Sequence, residues 1–199
     1  MGRPRVHDEQ TERELLAAAE GLLAGEGAEA LSVRRLAEAA GTTPRAIYSV
    51  FGGKDGLVRA LYREAFRALA RDLDALPLTA DPAADLVAAG VRGFRRWALQ
   101  HPELFRLAFE RAEADAPPTV QDSEVARAAF ERLIGRVRRL AEQGLIAPGS
   151  VEPLAVAFHS LCEGLASVER RRTLPLPWRR DPEAVWTASL AALVRGFRA

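Results

Sequence analysis

A chain of 199 residues, 48% hydrophobic with a net charge of +1, can fill one large core or two small ones. Its single cysteine, Cys162, excludes an intramolecular disulfide, and no apolar run approaches the roughly 20 residues that cross a bilayer. The basic start Met1-Gly2-Arg3-Pro4-Arg5 runs into charged residues rather than an apolar signal segment, so a cytoplasmic location without membrane partners is expected.

Helical periodicity is expected from Thr11 to about Glu26, with Leu15, Ala18, Ala19, Leu22 and Leu23 on one stripe and Gly27 as the stop. Ser32 can cap a short second helix whose Val33, Leu36, Ala37 and Ala40 share a face. Gly41 can take the left-handed conformation that ends it, and Thr43-Pro44 restarts the chain as N-cap and first helical residue. The third helix turns Ile47, Val50 and Phe51 inward and Arg45, Tyr48 and Ser49 outward. Two short helices joined by a Gly-containing turn, the second presenting polar groups, have the pattern of a helix-turn-helix that lays its second helix in a major groove.

After the Gly52-Gly53 turn, Lys54 opens a long helix to about Leu76, carrying Leu57, Leu61, Ala65, Leu69 and Leu73 on its apolar face. Asp81-Pro82 opens another, to about Gln100, and His101-Pro102 breaks it before a short apolar helix from Glu103 to about Glu110. Residues Ala112 to Gln121, with Pro117-Pro118, read as a loop that could serve as a gate. Helical period returns from about Asp122 to Gln143. Ser150 then caps a helix to about Arg170, and Asp181-Pro182 starts the last one, to about Phe197. A proline-rich connection including Pro175 and Pro177 separates these two.

No alternating strand pattern, Gly-rich phosphate loop or internal repeat occurs. The expected fold class is all-α: an N-terminal three-helix helix-turn-helix domain followed by a C-terminal helical bundle, about nine helices in total. The division falls between a DNA-binding domain at 1–53, with the linking helix reaching to about 57, and an effector-binding and dimerisation domain at 54–199.

Net charge is a weak argument for nucleic acid, because affinity comes from a local cluster of cations. Here Arg3, Arg5, Arg34, Arg35, Arg45 and Lys54 lie in the N-terminal arm, the motif or its edge, whereas most acids of this region precede the motif. Lys54 is the sole lysine and asparagine is absent, a bias that suggests GC-rich codons and a bacterial source.

The order of features from Leu15 to Leu57 resembles the TetR/AcrR family of transcriptional regulators. Leu15-Leu16, Ala18-Ala19, Gly27, Ser32-Val33, Leu36-Ala37, Ala40-Gly41, Ile47-Tyr48, Phe51, Lys54 and Leu57 carry that resemblance. The string from Phe94 to Leu107 looks like one subgroup of its C-terminal domains. The resemblance implies a homodimer through the last two long helices, a two-fold operator in double-stranded DNA, and a small-molecule effector that releases it, hence a repressor. Heads on a two-fold axis can read half-sites about 34–36 Å apart only if that spacing is held. It also implies that Arg34 and Arg45 reach base edges and that Thr42, Thr43, Tyr48 and Lys54 touch phosphates, with Ser49 on the same outward face. This chain departs by carrying Val50 where many members have His, which leaves a packing role there.

An effector pocket would draw on Phe66, Trp97, His101, Phe105, Phe109, Phe130, Phe158, His159 and Cys162, a set that plain core packing also explains. His159, Cys162 and Glu163 share a helical face, as a metal-dependent sensor or a nucleophile with its base would need. A site of that kind requires further ligands or an oxyanion partner, and the remaining histidines are His7 and His101. Regulation rather than catalysis is therefore expected, with no catalytic residue, metal or cofactor.

Overall fold

The computed structural model describes residues 5–27, 30–110, 119–172 and 181–198, with side chains from Glu9 onward. It divides into two compact units, the first up to Phe66 together with Pro102–Val125, the second Arg67–His101 together with the chain from Ala126 onward. Unit 1 thus takes in 54–66 and 102–125, which the sequence division assigns to the second domain.

Unit 1 begins with α1 (Arg5–Glu26), which starts a turn and a half before Thr11 because Arg5 to Gln10 contain no helix breaker. It buries Leu15, Leu16, Ala19 and Leu23, each worth about 1.5–3 kcal/mol for a large side chain. Gly27 ends it at φ +80°, its N–H donating to the Leu23 carbonyl at 2.9 Å. Next come α2 (Val33–Ala39), α3 (Pro44–Phe51) and the first part of α4 (Lys54–Asp74). The unit closes with α7 (Pro102–Phe105), a π-helical turn Arg106–Glu110, and the start of α8 (Val120–Glu142).

The first turn of α8 corrects the loop expected over Ala112–Gln121. Thr119 and Asp122 form a reciprocal cap, Thr119 N–H donating to Asp122 Oδ2 at 2.8 Å and Asp122 N–H to Thr119 Oγ1 at 3.3 Å. Val120 and Gln121 are therefore helical. Residues 112–118 of that expected loop lie outside the described residues, as do Arg3 and 173–180 of the proline-rich connection.

Unit 2 contains the later part of α4, α5 (Pro82–Ala88), a π-helical segment Ala89–Arg95, α6 (Arg96–Gln100), the body of α8, α9 (Val151–Arg171) and α10 (Pro182–Gly196). Asp81 and Asp181 cap α5 and α10 as expected, accepting from Ala83 and Ala84 at 3.0 and 2.9 Å and from Ala184 at 2.9 Å. Ser150 does not cap α9 with its side chain, because it ends a 3-10 turn, Pro148–Ser150, that leads straight into the helix. The π segment explains two glycines inside a helix. A Cβ on Gly90 would lie 2.4 Å from Leu190 Cδ1 and 3.0 Å from Phe158 Cζ, and one on Gly93 2.7 Å from Leu73 Cδ2, so the backbone there packs directly on neighbouring side chains.

The buried charged residues Arg136, Asp85 and Asp122 each make hydrogen bonds. Arg136 donates to the carbonyls of Leu73 and Leu76 at 2.6 and 3.1 Å, satisfying the end of α4. Asp85 accepts from Arg139 at 2.6 Å and from the N–H and hydroxyl of Thr79 at 2.6 and 2.8 Å. In unit 1, Asp122 accepts from Arg63 at 2.8 Å. Burial opposes both carboxylates, but these hydrogen bonds and the arginine charges outweigh it and hold both carboxyls below the usual range.

A lowered folded pKa contributes stability that is complete above the unfolded value of about 3.9 and is lost as pH falls through the folded one. Melting temperature should therefore drop as pH is lowered from 6 to 3. Asp85→Asn and Asp122→Asn should each flatten that acid limb, and an unchanged limb in both would refute the assignment.

With Pro82–Gln100 and Pro102–Glu110 each counted as one continuous helix, the described residues form nine helices. They contain no strand, only an isolated antiparallel bridge between Ile146 and Arg198. None of the described helices is long and apolar enough to cross a membrane.

Candidate nucleic-acid interface

Sequence-local chemistry builds the α2–turn–α3 motif. Ser32 Oγ accepts from the Arg35 N–H at 3.3 Å and Thr43 Oγ1 from the Ala46 N–H at 3.3 Å, so both helices start where their caps predict. Gly41 sits at φ +61° in the turn, and the following Thr42 N–H reaches back to the Ala37 carbonyl at 2.9 Å. Pro44 occupies the first turn of α3, where its missing N–H costs nothing. Gly52, at φ +73°, stops α3 by donating to the Tyr48 carbonyl.

Ile47 is the one fully buried residue of α3, at 0% exposure, with Ala46 and Phe51 half-buried beside it. Val50 corrects the expectation that it faces inward: it is 36% exposed. By helical period Val50 falls within the arc that Ala46, Ile47 and Phe51 span, so its exposure is set by what packs against the last turn of this two-turn helix and not by its angle.

Arg45, Tyr48 and Ser49 are exposed on α3, with Tyr48 at 57%. Thr43 is exposed although its oxygen already serves as a cap, and its hydroxyl hydrogen is still available to donate. Thr42 is half-buried in the turn. On α2 the Arg34 side chain is 86% exposed and lies 3.8 Å from Glu38, a weak surface pair. Arg35 is engaged with Glu26 of α1. Lys54 is exposed at the start of α4. Unit 1 thus brings exposed cations from three elements to the motif and its edge, which suits a polyanion. The exposed Val50 adds an apolar group of the kind that can meet a thymine methyl. Its place within the apolar arc hid this in the sequence.

Lys54 also lines a cavity of about 190 Å³ in unit 1 together with Leu23, Leu31, Leu61 and Leu107.

The nine pocket candidates divide between the two units. In unit 1, Phe109 lies edge-on to Phe66 with ring centres 5.5 Å apart, and Phe105 is 5.3 Å from Phe109. In unit 2, His159 takes Phe94 and Phe130 edge-on at 5.9 and 5.6 Å, while Trp97 neighbours both Phe94 and His101. Phe94, absent from the candidate set, links His159 to Trp97. Its position one turn from Trp97 was the available signal. Phe158 and Cys162 are buried. Both stand within 3.3 Å of where a Gly90 side chain would begin.

His159 and Glu163 approach to 3.8 Å, but burial lowers the imidazole pKa and favours the neutral ring. Burial also pushes the Cys162 thiol up, which keeps it from being the thiolate that a nucleophile or metal ligand must be. Among the described residues no three His, Cys, Asp or Glu side chains gather as a metal site would require.

Two family profiles match the chain. One, described as bacterial regulatory proteins of the tetR family, matches residues 15–61; the other, a tetracyclin repressor-like C-terminal domain, matches residues 87–193. No curated protein matches at a significant level. Among solved structures, a protein of unknown function from Rhodococcus sp. RHA1 is 25% identical, covering 94% of this chain and 95% of its own, with a TM-score of 0.79. A tetR-family transcriptional regulator from Streptomyces coelicolor is 22% identical over 97% of this chain and 82% of its own, with a TM-score of 0.71. The TetR family transcriptional regulator PfmR from Thermus thermophilus is 22% identical over 93% and 99%, with a TM-score of 0.66.

Proposed function

Because this chain belongs to the TetR family of transcriptional regulators and is a DNA-binding protein, we propose that it is a homodimeric repressor released from a two-fold operator by a small apolar or amphipathic effector. The observation that carries the reading is α3 itself, held by Ile47 and its caps, with Arg45, Tyr48 and Ser49 left in solvent. Arg45 is the base reader, able to grip guanine through two parallel hydrogen bonds, with Arg34 reaching a second base edge. Thr42, Thr43, Tyr48 and Lys54 hold phosphates and set the register. Residues 1–53 act as the DNA-binding domain and 54–199 as the effector-binding and dimerisation domain, and the protein works in the cytoplasm, where its operator is.

Dimerisation is supported by the outer faces of the last two helices. On α9, Val156 is 55% exposed and is followed at four-residue steps by the exposed Ser160 and Gly164; on α10, Ala184, Ala188 and Ala192 are exposed at the same step. Rows of small side chains allow two helices to approach closely, and apolar groups left in solvent favour it. The aromatic group around Phe66 in unit 1 and the one around His159 in unit 2 are the two candidate effector sites of the proposal. The neutral ring of His159 then provides a hydrogen-bonding group among apolar walls.

A mobility-shift and footprint search of genomic DNA tests the reading, with sequence-selective, salt-sensitive protection of a two-fold site expected. Arg45→Ala should relax preference at one base position by about 1–3 kcal/mol. Equal losses on operator and random DNA would show that Arg45 reads no base. Lys54→Gln should instead weaken all sequences alike and reduce the salt slope by about 1; a slope equal to the parent's would remove Lys54 from the phosphate contacts.

A further inference from the structure

Within unit 2 a groove of about 460 Å³ lies between α5 with its π segment and α10, a volume usual for a small-molecule site. Its apolar lining includes Val87, Ala88, Val91, Ala191 and Val194, and Arg92, Arg195 and Arg198 add three guanidinium groups. The carboxylate in the lining, Glu183, lies 3.5 Å from Arg95. That contact joins the end of the π segment to the start of α10, so the two walls run antiparallel. Arg92 therefore stands near Glu183, whereas Arg195 and Arg198 stand at the opposite end. Both are exposed, and among the described residues no carboxylate pairs with either. The nine candidate pocket residues line none of this groove.

We propose that the groove binds a linear anionic amphipath, an acyl chain ended by a single carboxylate. The chain lies along the alanine and valine floor, and the head group sits between Arg195 and Arg198. Each part of the ligand follows from the lining. Small side chains on facing walls leave a trough that an unbranched chain fills by apolar contact. A guanidinium presents a planar fork of donors that matches a carboxylate, and an alcohol cannot supply the charge that strengthens those bonds. At the other end the carboxylate of Glu183 stands beside Arg92 and repels a head group that Arg92 attracts, so the Arg195 and Arg198 end is preferred. The proposal rests on the effector-responsive reading above and adds to it a further ligand site, apart from the aromatic groups that reading draws on.

Calorimetric titration of the full chain with decanoate, below its micelle concentration and without DNA, tests it. One decanoate per chain is expected to bind, and decanol and acetate should each bind at least about tenfold more weakly, since one lacks the charge and the other the chain. R195Q/R198Q, which changes only exposed side chains, should weaken decanoate by about tenfold or more while leaving the melting curve unchanged. Ala191→Trp should abolish binding by filling the trough, and Ala88→Leu serves the same purpose if that variant does not fold. The proposal is overturned if decanoate fails to bind, if decanol matches it, or if the charge and filling variants bind as the parent does. Loss of operator binding in the search above would instead sink the DNA-binding reading and leave this titration unaffected.

Discussion

Ile47→Ala should lower stability by about 3 kcal/mol and abolish selective operator binding. The side chain is 0% exposed and is the one fully buried residue of α3. Truncating a buried Ile removes its transfer free energy and leaves a cavity, at a cost of about 2–5 kcal/mol. At this chain length about 3 kcal/mol corresponds to a fall in melting temperature of about 6–12 °C. The functional loss should exceed the stability loss, because an eight-residue helix does not persist in water without its tertiary contact. Arg45, Tyr48 and Ser49 would then no longer be presented from one fixed rod. Val50→Ala is the contrast: at 36% exposure it should change stability by less than about 0.5 kcal/mol. Paired thermal melts and mobility shifts decide between them. Equal effects of the two substitutions would mean that Ile47 does not anchor the reading helix.

The second large effect should come from Glu169→Ala in unit 2. Glu169 accepts two parallel hydrogen bonds from the Arg95 fork, at 3.0 and 2.9 Å, and one at 2.8 Å from the indole of Trp186, which is 0% exposed. The arginine and glutamate side chains are 17% and 11% exposed, so removing the carboxylate strands a largely desolvated cation and an indole donor together. Breaking one side of a buried pair costs about 3–5 kcal/mol. The lower end is expected here, since Glu183 stays 3.5 Å from Arg95. Deleting both partners should cost less than the sum of the separate deletions, because no unpaired charge is left behind. Urea denaturation of Glu169→Ala, Arg95→Leu and the double variant measures this, and strict additivity would show that the two groups do not support one another. If α10 takes part in the dimer as proposed, the single variants should also weaken self-association.

Much of unit 1 was legible because its signals are local. A cap side chain acts on amides two or three residues away, a positive φ selects glycine at one position, and a 3.6-residue period marks a buried stripe. Ser32, Gly41, Thr43, Pro44 and Gly52 therefore declare the motif from sequence, and Arg45, Tyr48 and Ser49 are exposed as the period requires. Val50 departs from the period because it lies inside the apolar arc by angle, while what covers the end of a two-turn helix is set by the packing around it. The start of α8 was missed for a different reason: Pro117-Pro118 suggested a loop, while the reciprocal cap of Thr119 and Asp122 also answers to Arg63, 59 residues away.

What the sequence determined by itself is the all-helical class, the caps and stops of most helices, and the exposure of Arg45, Tyr48 and Ser49 on α3, since each depends on neighbours within about one helical turn. Tertiary structure alone decided that 102–125 joins the N-terminal unit, that the nine pocket candidates form separate groups, and that Arg195 and Arg198 share a groove with α5. Helical periodicity tells which side of a rod is apolar and nothing about which rod lies against it. Groove walls, ring contacts and buried ion pairs arise from that choice of partner, through contacts between residues far apart in the chain.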